Sequence, residues 1–120
     1  MQNVDVLRAI YARWAEGDFA ADAPLFDEEV TMVVDPGIPD GGIYQGLAGI
    51  RSYMERFLEP WESLTIAAES FTEAGDKVLV RTVQSGIGQG SGVPVEMRYC
   101  QEWTFRDGRV IRLEVIMDEQ

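Results

Sequence analysis

From Val95 to Arg106 the side chains alternate without a break: Met97, Tyr99, Gln101, Trp103 and Phe105 share one face, and Glu96, Arg98, Cys100, Glu102, Thr104 and Arg106 the other. A period of two sends successive residues to opposite sides of an extended chain, so this stretch reads as a strand with one apolar and one charged side. Asp107-Gly108 follows, a dipeptide suited to a two-residue hairpin turn, and leads into a second strand, Arg109 to Met117. There Ile111, Leu113, Val115 and Met117 are set against Arg112 and Glu114. On the outer side, Arg112 and Glu114 are expected to pair with Glu102 and Arg106, contacts of little energetic weight in water. A hairpin with one apolar face must bury that face under other elements, and this requirement constrains the rest of the chain.

Two more strands precede it. Leu64 to Glu73, the turn Ala74-Gly75-Asp76 and Val78 to Ser85 read as a hairpin. Gly86 to Gly92 is glycine-rich, but a phosphate-binding loop opens onto a helix and this one precedes a strand, so it reads as a connector. Nearer the N-terminus, Val30 to Val34 is a β-branched and apolar run ending on Asp35, and Pro36 to Gly42 is a breaker-rich loop beside that carboxylate.

The covering elements are helical. Asn3 can cap a helix on which Val4, Leu7, Tyr11 and Trp14 form one apolar stripe, with Gly17 placed to end it. Asp18 can cap a second, shorter helix carrying Phe19, Leu25 and Phe26, kept short by Pro24. A third helix begins at Leu47, with Leu47, Ile50, Met54, Phe57, Leu58 and Trp61 as its core stripe and Pro60 marking its end. The expected fold is thus α+β: three N-terminal helices packed on a curved, mostly antiparallel sheet, leaving a pocket where the helices do not fill the concavity.

Composition narrows the chemistry. At 120 residues and 46% apolar, the chain reads as a single domain, 1–120, able to bury one core. A net charge of −11 disfavours nucleic acid and anionic membrane surfaces as partners. Polar Gln2, Asn3 and Asp5 do not make a secretory leader, no apolar run approaches membrane-spanning length, and lone Cys100 permits no internal disulfide, so a soluble cytoplasmic protein is expected. Histidine is absent, which removes the commonest general base and metal ligand. Catalysis would therefore fall to carboxylate, Tyr, Arg or Lys, and neither a metal nor another cofactor is implied. Asp35 is the candidate acid/base group, although Asp before Pro and Gly is also ordinary turn chemistry. Gln101 stands out as the only amide on an otherwise apolar strand face.

The element order, together with Gly17-Asp18, Leu25-Phe26, Val34-Asp35-Pro36, Tyr44-Gln45-Gly46, Gly75-Asp76 and Arg106-Asp107-Gly108-Arg109-Val110, resembles the NTF2-like superfamily. Within it the chain looks like the SnoaL-like polyketide cyclase and ketosteroid isomerase branch. That resemblance implies a cone around an apolar cavity, a homodimer formed through the outer sheet face, and a hydrophobic small-molecule ligand. Ketosteroid isomerases place a catalytic Asp before Pro, which matches Asp35-Pro36. Their oxyanion donors correspond to positions at or near Ile10 and Gln101, with Tyr11 one step away. The resemblance thus implies an isomerase, cyclase or dehydratase acting on a carbonyl-type substrate, with Asp35, Gln101 and Tyr11 as catalytic candidates. Trp14, Tyr44, Tyr53, Phe57, Tyr99, Trp103, Val115 and Met117 are the candidate substrate-binding residues. A non-catalytic binding protein for a hydrophobic molecule is the main alternative. An epoxide hydrolase is another, for which Arg81 would have to enter the pocket.

Overall fold

The computed structural model describes residues 3–19, 25–38 and 41–117. Helix α1 (Asn3–Trp14) buries Leu7, Ile10 and Tyr11, with Val4 and Trp14 partly buried against the same core. The chain leaves it at Gly17, whose φ of 85° suits a residue without Cβ, while the Asp18 N–H donates to the Arg13 carbonyl at 2.9 Å and closes the helix end.

Six strands form one sheet in the order β2-β1-β6-β5-β4-β3. They are β1 (Phe26–Val34), β2 (Gly42–Gln45), β3 (Trp61–Ala74), β4 (Lys77–Gly88), β5 (Pro94–Arg106) and β6 (Arg109–Met117), and α2 (Gly46–Leu58) lies between β2 and β3. All pairings are antiparallel except β1 with β6, which run parallel with Met32 opposite Leu113 and Val34 opposite Val115. Helix α2 packs on β1 and β2, and α1 on β3, so both helices cover one side of the sheet. The β5–β6 turn adopts positive φ at both central residues, 53° at Asp107 and 78° at Gly108, as a twist-matched two-residue hairpin requires.

The structure corrects four expectations. Two helices, not three, are present among the described residues. Part of the expected second helix, residues 20–24, lies outside them, and Phe26 opens strand β1 opposite Val110. Its ring lies 6.4 Å from that of Trp103, so burial of an aromatic side chain between sheet and helices overrides the local helical pattern. Second, the segment between the Pro36 loop and α2 forms β2 on the edge of the sheet, where the Thr31 hydroxyl donates to Gln45 Oε1 at 3.1 Å. A four-residue strand offers too little alternation to be read locally.

Third, the β5–β6 ladder shifts between Thr104 and Phe105: Thr104 faces Arg112 and Phe105 faces Val110. Ile111 is the extra residue of a bulge, so Val110 turns fully inward and Ile111 is only half-buried. Fourth, the expected charge pairs across this hairpin do not form. Glu102 stands opposite Glu114 and meets Lys77 at 3.6 Å, Glu114 meets Arg112 at 3.5 Å, and Arg106 meets Asp27 at 3.8 Å.

Candidate functional site

The concave face of the sheet and the two helices enclose a cavity of about 240 Å³. Its floor is the inward row of the central strands, Met97, Tyr99, Gln101 and Trp103 from β5 with Leu113 and Val115 from β6. Its roof is Ile50, Tyr53 and Phe57 from α2, with Ile10 and Trp14 from α1. The period of two in β5 and the period near 3.6 in the helices thus deliver their apolar faces to one space.

Two polar pairs are set into this apolar wall. The Trp103 indole N–H donates to the Tyr11 hydroxyl at 2.9 Å, and that hydroxyl donates in turn to Gln101 Oε1. An indole can only donate, so the Tyr11 oxygen must accept from it and spend its own proton on Gln101. The amide oxygen of Gln101 is thereby committed to Tyr11. Its NH2 group, with no partner among the described residues, is the part left to address the cavity that Gln101 lines. The second pair is Tyr99, whose hydroxyl donates to Gln84 Oε1 at 2.9 Å. Gln84 and Gln101 are both buried and both line the cavity.

Burial is the main reason that Tyr11 holds its proton well above the ordinary phenol value; the Trp103 hydrogen bond pulls the other way and nearby Tyr99 adds to the rise. Tyr99 is also pushed up, chiefly by burial and then by nearby Tyr53, while the neighbouring Thr82 hydroxyl pulls the other way. Both phenols are therefore neutral donors at ordinary pH, and neither serves as a base.

The structure distributes the sequence candidates as follows. Gln101, Trp14, Tyr53, Phe57, Tyr99, Trp103 and Val115 line the cavity. Tyr11 lies behind Gln101, buried, and reaches the cavity only through it. Tyr44 stands outside, with its ring 4.9 Å from that of Tyr53, and Met117 lies near Gly37. Asp35 is not among the lining residues: Val30, Met32 and Val34 face the core, and Asp35 follows on the alternate side of the strand path. Its Oδ1 accepts the Gly37 N–H at 2.8 Å and its carbonyl accepts the Ile38 N–H at 2.9 Å, the pattern of an Asp that closes a turn. Arg81, which an epoxide-hydrolase arrangement needs inside, is exposed.

Sequence reasoning missed Gln84, Arg13 and Arg56, all in the cavity lining, and set Trp61 on the stripe of the third helix, whereas it lines the cavity from the start of β3, beyond Pro60. Gln84 was legible by the rule that singled out Gln101, since it is the amide in an inward row that otherwise reads Val78, Val80, Thr82 and Gly86. The arginines carry no such signal, because helix ends commonly bear basic residues.

A helix-covered, curved sheet closing on an apolar pocket defines the NTF2-like class of α+β proteins. More narrowly, the profile of the SnoaL-like domain matches residues 7–113, and the chain belongs to that family. Among solved structures, it is similar to TerC co-crystallised with polyporic acid, at 26% identity and a TM-score of 0.82, covering 97% of this chain and 91% of TerC. An NTF2-like protein from Burkholderia thailandensis superposes with a TM-score of 0.85 at 24% identity, covering 98% and 92% of the two chains. A protein of ketosteroid isomerase-like fold from Catenulispora acidiphila, in complex with trimethylamine, gives 0.77 at 18% identity, covering 96% and 86%. Comparison with curated protein sequences gave no match.

Proposed function

We propose that this SnoaL-like protein takes a hydrophobic carbonyl compound into its cavity and polarises the carbonyl oxygen with the amide of Gln101. The observation that carries this reading is the directed chain Trp103→Tyr11→Gln101, which commits the amide oxygen to the protein and the NH2 to the ligand. An amide so oriented selects a hydrogen-bond acceptor. In a water-poor apolar site, its attraction for that oxygen grows as negative charge develops there, as happens when an adjacent carbon loses a proton or is attacked. Gln84 supplies a second amide on the same wall. That TerC was co-crystallised with an organic acid supports a small-molecule ligand. The net charge of −11 weighs against nucleic acid and anionic membranes. Binding with carbonyl polarisation is the activity these residues can supply unaided, because among the described residues no carboxylate lines the cavity to abstract a proton.

Calorimetric titration with 2-acetonaphthone, a neutral bicyclic ketone, tests the assignment. Gln101→Leu, which keeps the bulk and removes the donor, weakens binding roughly three- to tenfold, the range of one buried hydrogen bond. Unchanged affinity would overturn the role of Gln101.

A second reading, proton abstraction by Asp35, is favoured by one feature: the turn that Asp35 closes carries Ile38, a lining residue, so the carboxylate stands beside the cavity rim. To act as a base it must release the Gly37 N–H and swing inward. Turnover of an enolisable ketone that survives Asp35→Asn would eliminate this reading.

A further inference from the structure

Gln84 and Gln101 stand in matching surroundings. They are 4% and 5% exposed, and both line the cavity. Each is flanked on its two neighbouring strands by apolar residues: Ile66 and Met97 stand opposite Gln84, Val80 and Val115 opposite Gln101. Each has its amide oxygen taken by a tyrosine hydroxyl, and the NH2 of neither has a partner among the described residues. A buried donor left unmatched costs about as much as the one bond beside it contributes, so packing alone accounts for neither group. Carbonyl binding at Gln101 leaves Gln84 unexplained.

The two amides are too far apart to serve one ligand oxygen. Gln84 stands opposite Met97, and Gln101 lies four residues further along β5. At about 3.3 Å per residue they start roughly 13 Å apart along the sheet, and inward side chains rise nearly perpendicular to it, so the amides stay on the order of 10 Å apart. Tyr99, opposite Thr82, occupies the row between them. A donor must come within about 3 Å of its acceptor, so each amide addresses its own part of a ligand.

Resting on the carbonyl-binding reading of Gln101, we infer that Gln84 forms a second binding subsite and that the ligand is two-ended: an apolar body whose carbonyl lies at Gln101 and whose second oxygen, a hydroxyl or a carbonyl, lies at Gln84. The Tyr99–Gln84 pair has no donor-only group fixing its direction, so it can turn its NH2 to a carbonyl or, reversed, its amide oxygen to a hydroxyl proton. A carbonyl suits either amide, whereas a hydroxyl can give its proton only to Gln84. A ligand with one of each is therefore bound in one orientation.

Calorimetry on one naphthalene frame tests this. 2-Acetonaphthone carries the carbonyl alone, 6-hydroxy-2-acetonaphthone adds a hydroxyl at the far end, and 2,6-diacetylnaphthalene adds a second carbonyl there. In slightly acidic buffer, where the naphthol stays neutral, both two-ended compounds are expected to bind roughly three- to tenfold tighter than 2-acetonaphthone, the range of one buried hydrogen bond. In Gln84→Leu that advantage shrinks to within about twofold. The compound with the larger advantage identifies the second group. An advantage missing from the wild type, or one that survives Gln84→Leu, overturns the inference. Gln101→Leu reads the carbonyl assignment separately: a 2-acetonaphthone affinity that falls in this variant leaves that reading standing even where the second oxygen contributes nothing. Failure of all three compounds to bind overturns both. Should Gln84→Leu fold poorly because it strands the Tyr99 hydroxyl, Tyr99→Phe/Gln84→Leu removes both members of the pair and gives the same comparison.

Discussion

The two tyrosine–glutamine pairs in the cavity wall are built from the same groups and differ in what stands behind them. Tyr11 takes a hydrogen bond from the Trp103 indole before giving its own to Gln101. Tyr99 gives one to Gln84 with no donor-only group behind its hydroxyl, and Thr82 Oγ1 bonds the Tyr99 main-chain carbonyl instead. A phenol and an amide can exchange donor and acceptor roles, so an isolated pair has two arrangements of similar energy. An indole at one end removes one of them. The lesson is that direction in a buried polar chain is set by the member that can only donate, and the functional group at the far end inherits it. Gln101 is committed to an acceptor, whereas Gln84 can turn to suit either an acceptor or a donor.

Removing the two phenol oxygens in turn is the strongest way to break this comparison. Tyr11→Phe strands both the Trp103 N–H and the Gln101 carbonyl in a buried site, and is expected to lower stability by about 1–3 kcal/mol in urea denaturation. It also frees the Gln101 amide to rotate, so affinity for 2-acetonaphthone falls with it. Tyr99→Phe loses one bond and should cost about 1 kcal/mol, with a smaller effect on affinity. Equal losses in the two variants would mean that the indole does not distinguish the pairs.

Alkaline titration sharpens the same contrast. Both phenols ionise less readily in the folded chain than at the ordinary value of 10.0, so above that pH the unfolded state binds fewer protons and stability declines. The contribution is complete below the unfolded value and is lost as pH rises through the raised folded values. Denaturation midpoints should therefore hold steady up to about pH 10 and drop beyond it, and each Tyr→Phe variant should flatten that drop. A wild-type midpoint that stays level through pH 11 would contradict the buried, neutral state of these groups.

The smallest effect is expected at Asp35. Asparagine keeps an oxygen to accept the Gly37 N–H, so Asp35→Asn should change stability by no more than about 0.5 kcal/mol and leave ketone affinity intact. A marked loss of affinity would draw this carboxylate into the site with Gln101.

Much of the architecture was written in short-range periodicity. The alternation of β5, the Asp107-Gly108 turn, the stripe Leu7, Tyr11 and Trp14 on α1 and the stripe Ile50, Met54 and Phe57 on α2 all depend on neighbours two to four residues apart. Those patterns specified an α+β layer fold with one apolar side, and marked Gln101 as an amide facing it. The candidate site was legible to the same extent: its floor on β5 was named from alternation and Gln84 could have been found by the same rule, whereas the two arginines emerged only once the helix ends were in place.

What tertiary structure alone decided is every feature whose cause lies far along the chain. Phe26 is a strand residue because parallel pairing with Val110 and the ring of Trp103 offer it more burial than a helical turn. Val110 replaces Ile111 in the core because the ladder slips by one residue at Phe105. Gln101 presents its nitrogen to the cavity because Tyr11, 90 residues earlier, claims its oxygen. The local pattern determined which faces had to be buried. Which groups then met across the cavity, and which way their hydrogen bonds ran, was decided by closure of the sheet beneath its helices, since the energy of a buried contact depends on distance in space and not on separation in sequence.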